Sequence, residues 1–275
     1  MESENREYFQ LESTGEVDFL AVQPFTNRGV RAFFSTRKGG VSPAPYRSLN
    51  LAFHSGDSRK RVVKNRKVLA DSLNFNLDSI VCATQVHGNN VSRVEKKMRG
   101  RGSRRKENAL SNTDALITDC PGVTLFAFYA DCVPLYFYDP EKEVIGLAHA
   151  GWRGTVLKIG LNVLLHMNLA FGSDPGSVLI ALGPAICGSC YEVDNGVMKY
   201  FQNVFSDCTS FCTPRDKSKF LLDLRACNYQ YLREAGINRE QIFVSQWCSC
   251  EQEELFFSHR RAEEKTGRMA AVLSL

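Results

Sequence analysis

Three short phrases, Gln85-Val86-His87-Gly88, Ala130-Asp131-Cys132-Val133-Pro134-Leu135 and His149-Ala150-Gly151-Trp152-Arg153-Gly154-Thr155, set two imidazoles and one thiol among tight turns and apolar residues. His87, Cys132 and His149 form a three-ligand metal set. Imidazole nitrogen and thiolate suit zinc, and three protein ligands leave a fourth position for water or substrate, the arrangement of a catalytic rather than a structural ion. The chain is therefore expected to be an enzyme.

Other chemistry competes for the same residues. Cys132 beside one histidine would make a nucleophilic pair with a covalent intermediate on sulfur, but a second histidine is one more than that chemistry needs. Copper also takes two histidines and a cysteine. It wants a weak axial ligand, and the nearest methionine in sequence, Met167, belongs to a helix core pattern. Asp131 has two readings of equal weight, a carboxylate that orients a ligand imidazole or one that satisfies a buried backbone amide. Arg37, after Ser35-Thr36 and before Gly39-Gly40, and Arg153, ahead of a helix, are candidates for anion binding at glycine turns. A surface ion pair is the commoner fate of any one arginine. Cys187/Cys190 and Cys248/Cys250 resemble a four-cysteine structural site only weakly, because the second pair has CxC spacing. Inert thiols are the preferred reading there.

The elements that must position these groups alternate along the chain without an internal repeat. Strands are expected over 30–35, 80–84, 91–94, 114–118, 123–129, 133–138, 144–149, 178–182, 242–245 and 269–275. Helical spacing of apolar residues predicts helices over 59–73, 154–169, 195–205 and 221–235. In the first of these helices Arg59, Lys60, Lys64 and Lys67 supply a wet face, and Asn65 and Arg66 should meet something polar. His149 falls where a strand ends and a helix is about to begin. Residues 99–112, with glycines among clustered cations, read as a mobile surface loop, and no linker marks a domain boundary.

Composition agrees with a globular enzyme. The 275 residues are 44% hydrophobic and 23% charged, enough for a sizeable core. The net charge of +4 comes from 34 basic and 30 acidic residues, and much of the excess lies in the stretch 96–106. That stretch lacks interleaved aromatics, which argues against nucleic acid. The polar, acidic stretch 1–10 does not look like a secretory signal, and no apolar run approaches membrane-spanning length. Ten cysteines without an export signal read as reduced thiols of a cytoplasmic protein.

Taken in order, these phrases resemble the YfiH/YlmD family, also called the laccase-domain or multicopper polyphenol oxidase family and known as purine nucleoside phosphorylase or peptidoglycan editing factor. Further matching phrases are Ser35-Thr36-Arg37 with Gly39-Gly40-Val41-Ser42, Ser48-Leu49-Asn50-Leu51, Gly56-Asp57, Asn65-Arg66, Leu182-Gly183-Pro184, Leu222-Asp223-Leu224, and Phe256-Phe257-Ser258-His259-Arg260-Arg261 with Thr266-Gly267-Arg268. His259 stands where the family often has a tyrosine. The resemblance implies an α+β fold in one domain, a four-layer α/β/β/α sandwich with mixed sheets. It also implies zinc on His87, Cys132 and His149, with Asp131 in the catalytic group. The implied activity is phosphorolysis of adenosine, inosine, guanosine and methylthioadenosine, with adenosine deamination. The partners are then a nucleoside and inorganic phosphate, with Ser35, Arg37, Arg66 and Arg153 as candidates to hold the phosphate, and no nucleic acid or membrane. A copper phenol oxidase and an amidase or accessory protein that edits peptidoglycan precursors are the alternatives.

Overall fold

The computed structural model describes residues 8–262 and 265–275, so most of the acidic stretch read at 1–10 lies outside the described residues. In chain order the strands are β1 (Phe9–Thr14), β2 (Val17–Val22), β3 (Arg31–Ser35), β4 (Ile80–Cys82), β5 (Val91–Arg93), β6 (Ala115–Thr118), β7 (Thr124–Tyr129) and β8 (Val133–Asp139). They continue with β9 (Val144–Ala150), β10 (Leu179–Leu182), β11 (Glu192–Asp194), β12 (Cys212–Pro214), β13 (Lys219–Leu222), β14 (Ile242–Val244) and β15 (Met269–Ser274). The helices are α1 (Gln23–Thr26), α2 (Arg59–Ser72), α3 (Trp152–Val156), α4 (Ile159–Phe171), α5 (Asn195–Gln202), α6 (Leu224–Glu234) and α7 (His259–Ala262).

Two six-stranded sheets carry the fold, one ordered β1-β2-β3-β15-β7-β4 and the other β14-β10-β8-β9-β6-β5. Both are mixed, since β4 joins β7, β14 joins β10 and β5 joins β6 in parallel while the other pairs run antiparallel. A small third sheet, β11-β13-β12, lies beside them. Side chains alternate across each strand, and the three hydrophobic cores follow from that alternation. β7 sends Leu125, Ala127 and Tyr129 into the core shared with Tyr136 and Tyr138 of β8 and Leu147 of β9. Its Phe126 and Phe128 turn outward to a core shared with Leu69 of α2. From β8, Val133, Leu135 and Phe137 pack with Ile159, Val163 and Met167 of α4. Helix, sheet, sheet and helix thus stack in four layers, and the central strands are buried on both faces, which is why β7, β8 and β9 read as unbroken apolar runs.

Two expectations need correction. The helix read at 154–169 is two helices, because Lys158 adopts the left-handed region (φ +51°) and separates α3 from α4. The segment read as a mobile loop at 99–112 is packed along β4. Gly100 donates to the Ile80 carbonyl (2.9 Å), Cys82 to that of Arg101 (2.8 Å) and Leu110 to that of Cys82 (3.0 Å), so the segment covers an open sheet edge. The β1–β2 hairpin was not anticipated. Its turn places Gly15, at φ +62°, in the first position of a two-residue loop, where glycine is favoured.

Candidate metal centre

The centre forms where the chain crosses between the two large sheets. The β4–β5 crossing carries His87 and the β7–β8 crossing carries Asp131 and Cys132. The antiparallel register of β8 on β9 pairs Val133 with Ala150 and Pro134 with His149, so Cys132 leaves its strand opposite Gly151. His149 and Gly151, two residues apart, share a face. The outcome is that one ligand atom from each of His87, Cys132 and His149 lies within 4.8 Å of the other two. The imidazole centroids are 4.8 Å apart at 73°. A Cβ on Gly151 would stand 2.9 Å from His87 Cδ2 and 3.0 Å from Cys132 Sγ, so the cluster closes only over a glycine.

A carboxylate that sequence reasoning missed organises this cluster. Asp114 Oδ1 lies 3.0 Å from His149 Nδ1, which leaves Nε2 as the donor toward the centre. The same carboxylate accepts the backbone amides of Val86 (3.1 Å), His87 (3.0 Å) and Gly88 (2.8 Å), holding His87 in the left-handed region at φ +60°. Burial alone would raise the Asp114 carboxyl, but His149 and those amides keep it below the ordinary carboxylate range. No local signal marks Asp114, because its partners lie 26 to 35 residues away in sequence. Asp131 takes the second of its two readings. Its side chain accepts Ser249 Oγ (2.7 Å) and the Arg260 amide (2.7 Å) and orients no imidazole, which stabilises a backbone at φ +90° just before Cys132.

Charge within the cluster favours ligation. Burial alone pushes the Cys132 thiol up, yet His149 and then His87 outweigh it and bring it down to about 6. Burial lowers His149, but Cys132 and Asp114 hold it up at about 9. The donors fit the zinc expected from the sequence: one thiolate, two imidazoles, an aspartate behind one imidazole, and an exposed His87 beside a half-buried Cys132 that leave a side open.

That open side faces a pocket of ≈ 270 Å³, at the small end for small-molecule sites. Trp152, Tyr191, Ile186 and Leu224 give it apolar walls, and Arg153, His259 and Arg260 line it as well. Arg153 stacks over Trp152 (4.2 Å) and Arg260 over Tyr191 (4.9 Å), so two guanidinium groups are held on aromatic faces beside the centre. Of the arginines expected to bind phosphate, only Arg153 lines this pocket. Arg37 donates to the carbonyls of Arg47 (2.8 Å) and Glu253 (3.1 Å) and lines a separate hollow. Ser35 is buried in β3, its hydroxyl accepting the Ala270 amide (2.9 Å). Arg66 is 1% exposed and donates to the carbonyls of Leu51 (2.7 Å), Gly102 (2.5 Å) and Ser103 (2.9 Å), a structural tie rather than an anion site. Arg260 and Tyr191 were missed as pocket residues; Arg260 lay within a quoted phrase, but nothing local in the sequence singles out either one.

Comparison with known proteins places this geometry in a context. Residues 31–275 match the family described as multi-copper polyphenol oxidoreductase laccase. The chain is 41% identical over 249 residues, 90% of each chain, to a Bacillus subtilis protein named purine nucleoside phosphorylase YlmD. A Geobacillus stearothermophilus protein of the same name is 39% identical over 96% of each chain. The crystal structure of Bacillus licheniformis YfiH superposes with a TM-score of 0.92 at 38% identity, covering 97% of this chain and 98% of that one.

Proposed function

The chain belongs to the family described as multi-copper polyphenol oxidoreductase laccase, and from that membership and the geometry of the centre we propose that it is a purine nucleoside phosphorylase that works with zinc. The activity is the one named for relatives that align over nine-tenths or more of the chain. The observation that carries the reading is the convergence of His87, Cys132 and His149 at the mouth of a pocket walled by aromatic rings and two guanidinium groups.

Phosphorolysis joins a phosphate oxygen to C1′ of the ribose while the bond from C1′ to the purine breaks and its electron pair leaves with the base. Arg153 and Arg260 line the pocket, and their forked donors suit the oxygens of a phosphate dianion. Trp152 and Tyr191 offer flat faces for a purine. His87, Cys132 and His149 would hold a divalent ion, which supplies Lewis acidity and lowers the pKa of bound water, serving both purine departure and hydrolytic loss of the adenosine amino group. We extend the substrates to adenosine, inosine, guanosine and methylthioadenosine on the family resemblance. We assign the protein to the cytoplasm, a reading supported by ten free cysteines. No helix among the described residues is long and apolar enough to cross a membrane.

Incubation with inosine and inorganic phosphate should release hypoxanthine and ribose 1-phosphate in equal amounts, with no release when phosphate is omitted. Hypoxanthine release independent of phosphate contradicts the reading. The family's description favours a second reading, a copper phenol oxidase. Met167, however, is fully buried in the α4 core and is not an axial ligand. Stoichiometric copper with dioxygen uptake on a phenol would establish that alternative.

A further inference from the structure

A second group of metal-ligating side chains lies outside this centre. β10 and β14 are parallel neighbours, Leu182 paired with Val244, so the turns that leave their C-terminal ends emerge side by side. A bridge between Ala185 and Cys248 keeps them together. The first turn carries Cys187 and Cys190, the second Cys248 and Glu251, and one donor atom from each of the four lies within 4.8 Å of the rest. Both pairs have the same two-residue spacing, Cys-x-x-Cys and Cys-x-x-Glu. With Cys250 as the fourth member, the second pair has CxC spacing and matches a zinc pattern poorly. Glu251 restores it.

We propose that Cys187, Cys190, Cys248 and Glu251 form a structural zinc site that clamps these two turns. Four converging donors close a tetrahedral shell, which distinguishes the site from the open three-ligand centre. In a tetrahedral zinc–thiolate shell the donors stand about 3.8 Å apart for a bond of about 2.3 Å. Glu251 Oε1 already lies 3.3 Å from Cys187 Sγ and 3.6 Å from Cys190 Sγ, and the Cys187 amide donates to Cys248 Sγ at 3.3 Å. Arg261 donates to the carbonyls of Ser249 (2.9 Å) and Cys250 (2.7 Å), placing a cation beside a shell whose four anionic ligands outweigh a dication. Uptake of the ion displaces one proton from each thiol to solvent and involves no oxidation.

The clamp has a place in the architecture. Ile186 and Tyr191, flanking the first turn, line the pocket, and Ser249 on the second turn bonds Asp131 beside Cys132. The ion would therefore fix the pocket wall without touching a substrate.

The test separates the two sites by using chains that lack a ligand of the first. His87→Ala and Cys132→Ala proteins, loaded with zinc alone and dialysed, should each retain one zinc per chain. Adding Cys187→Ser and Cys190→Ser to either should remove it and lower Tm. Zinc should also protect Cys187 and Cys190 from alkylation in the His87→Ala protein, as read by mass spectrometry. Glu251→Gln, an exposed change that leaves the core intact, should weaken retention at least tenfold. The proposal is overturned if neither first-site variant retains zinc, if the ion persists after Cys187 and Cys190 are replaced, or if those two thiols are found joined as a disulfide. None of these outcomes bears on phosphorolysis, which is measured separately on the unaltered chain.

Discussion

Asp114 is one buried carboxylate with two tasks, gripping the His149 ring and three consecutive amides of the His87 turn. Asp114→Asn keeps its shape but sets an amide N–H₂ against groups that also donate. Outer partners of this kind are worth about 10- to 100-fold in metal affinity, and competition against a chelator should show a loss of that size, whereas unchanged affinity would mean that His149 needs no orienting partner. Gly151 tests the cluster sterically. Its φ of −72° suits any residue, so Gly151→Ala acts only through the Cβ placed against His87 and Cys132. Zinc should be lost from the open centre while the thermal transition moves by only a few degrees. Full retention of that zinc would show that the ligands do not close over this glycine. At this scale the sequence was legible for the ligands, because their types announce metal chemistry. It was silent on Asp114, whose role exists only once β6 lies beside β9.

Helix α2 shows how polar residues on an inner face become structural ties. Asn65 bonds the Val41 amide (2.8 Å), Ser42 Oγ (2.9 Å) and the Asn50 carbonyl (2.9 Å), while Arg66 reaches the carbonyls of Leu51, Gly102 and Ser103. Arg66→Ala would leave those carbonyls buried without a partner, at about 1–3 kcal/mol each. A urea transition should report a loss of at least about 3 kcal/mol, while the KM for phosphate of the folded fraction stays unchanged. A raised KM with unaltered stability would return Arg66 to the phosphate site. At the N-terminus of α2, burial alone would raise the Asp57 carboxyl, but bonds from Ser42, Asn50, Arg61 and the Ser58 amide hold it below the usual range. A carboxyl depressed in the folded state adds stability that is present above its unfolded value near pH 4 and lost as pH falls through its lower folded value. Asp57→Ala should therefore be less stable than the parent by about 2 kcal/mol at pH 7, with the gap narrowing below pH 4. A gap constant with pH would contradict this role for the charge. Asn65 and Arg66 were correctly expected to meet polar groups, yet which groups could not be read from a helical repeat, because they arrive from loops 15 to 37 residues away.

At the scale of the whole molecule, the two large sheets meet along a shared core, and besides the β6–β7 link the chain crosses between them at the β4–β5, β7–β8 and β14–β15 connections. The first two carry His87 and Cys132, and the third carries His259 and Arg260 into the same pocket. Unbroken apolar runs made β7, β8 and β9 visible as buried strands, but periodicity does not say which sheet a strand joins. The four layers were reached through family resemblance and not through pattern. Two of these crossings bring His87 and Cys132 to His149 of β9, and the proposed phosphorolysis depends on the ion that the three would hold. The most direct measurement is phosphate-dependent hypoxanthine release from inosine by the unaltered chain and by Cys132→Ala, with both shown by circular dichroism to melt cooperatively. We expect release by the former and at least a hundredfold lower rate in the latter, the scale of losing a metal's charge stabilisation. Equal rates from two folded proteins would contradict it.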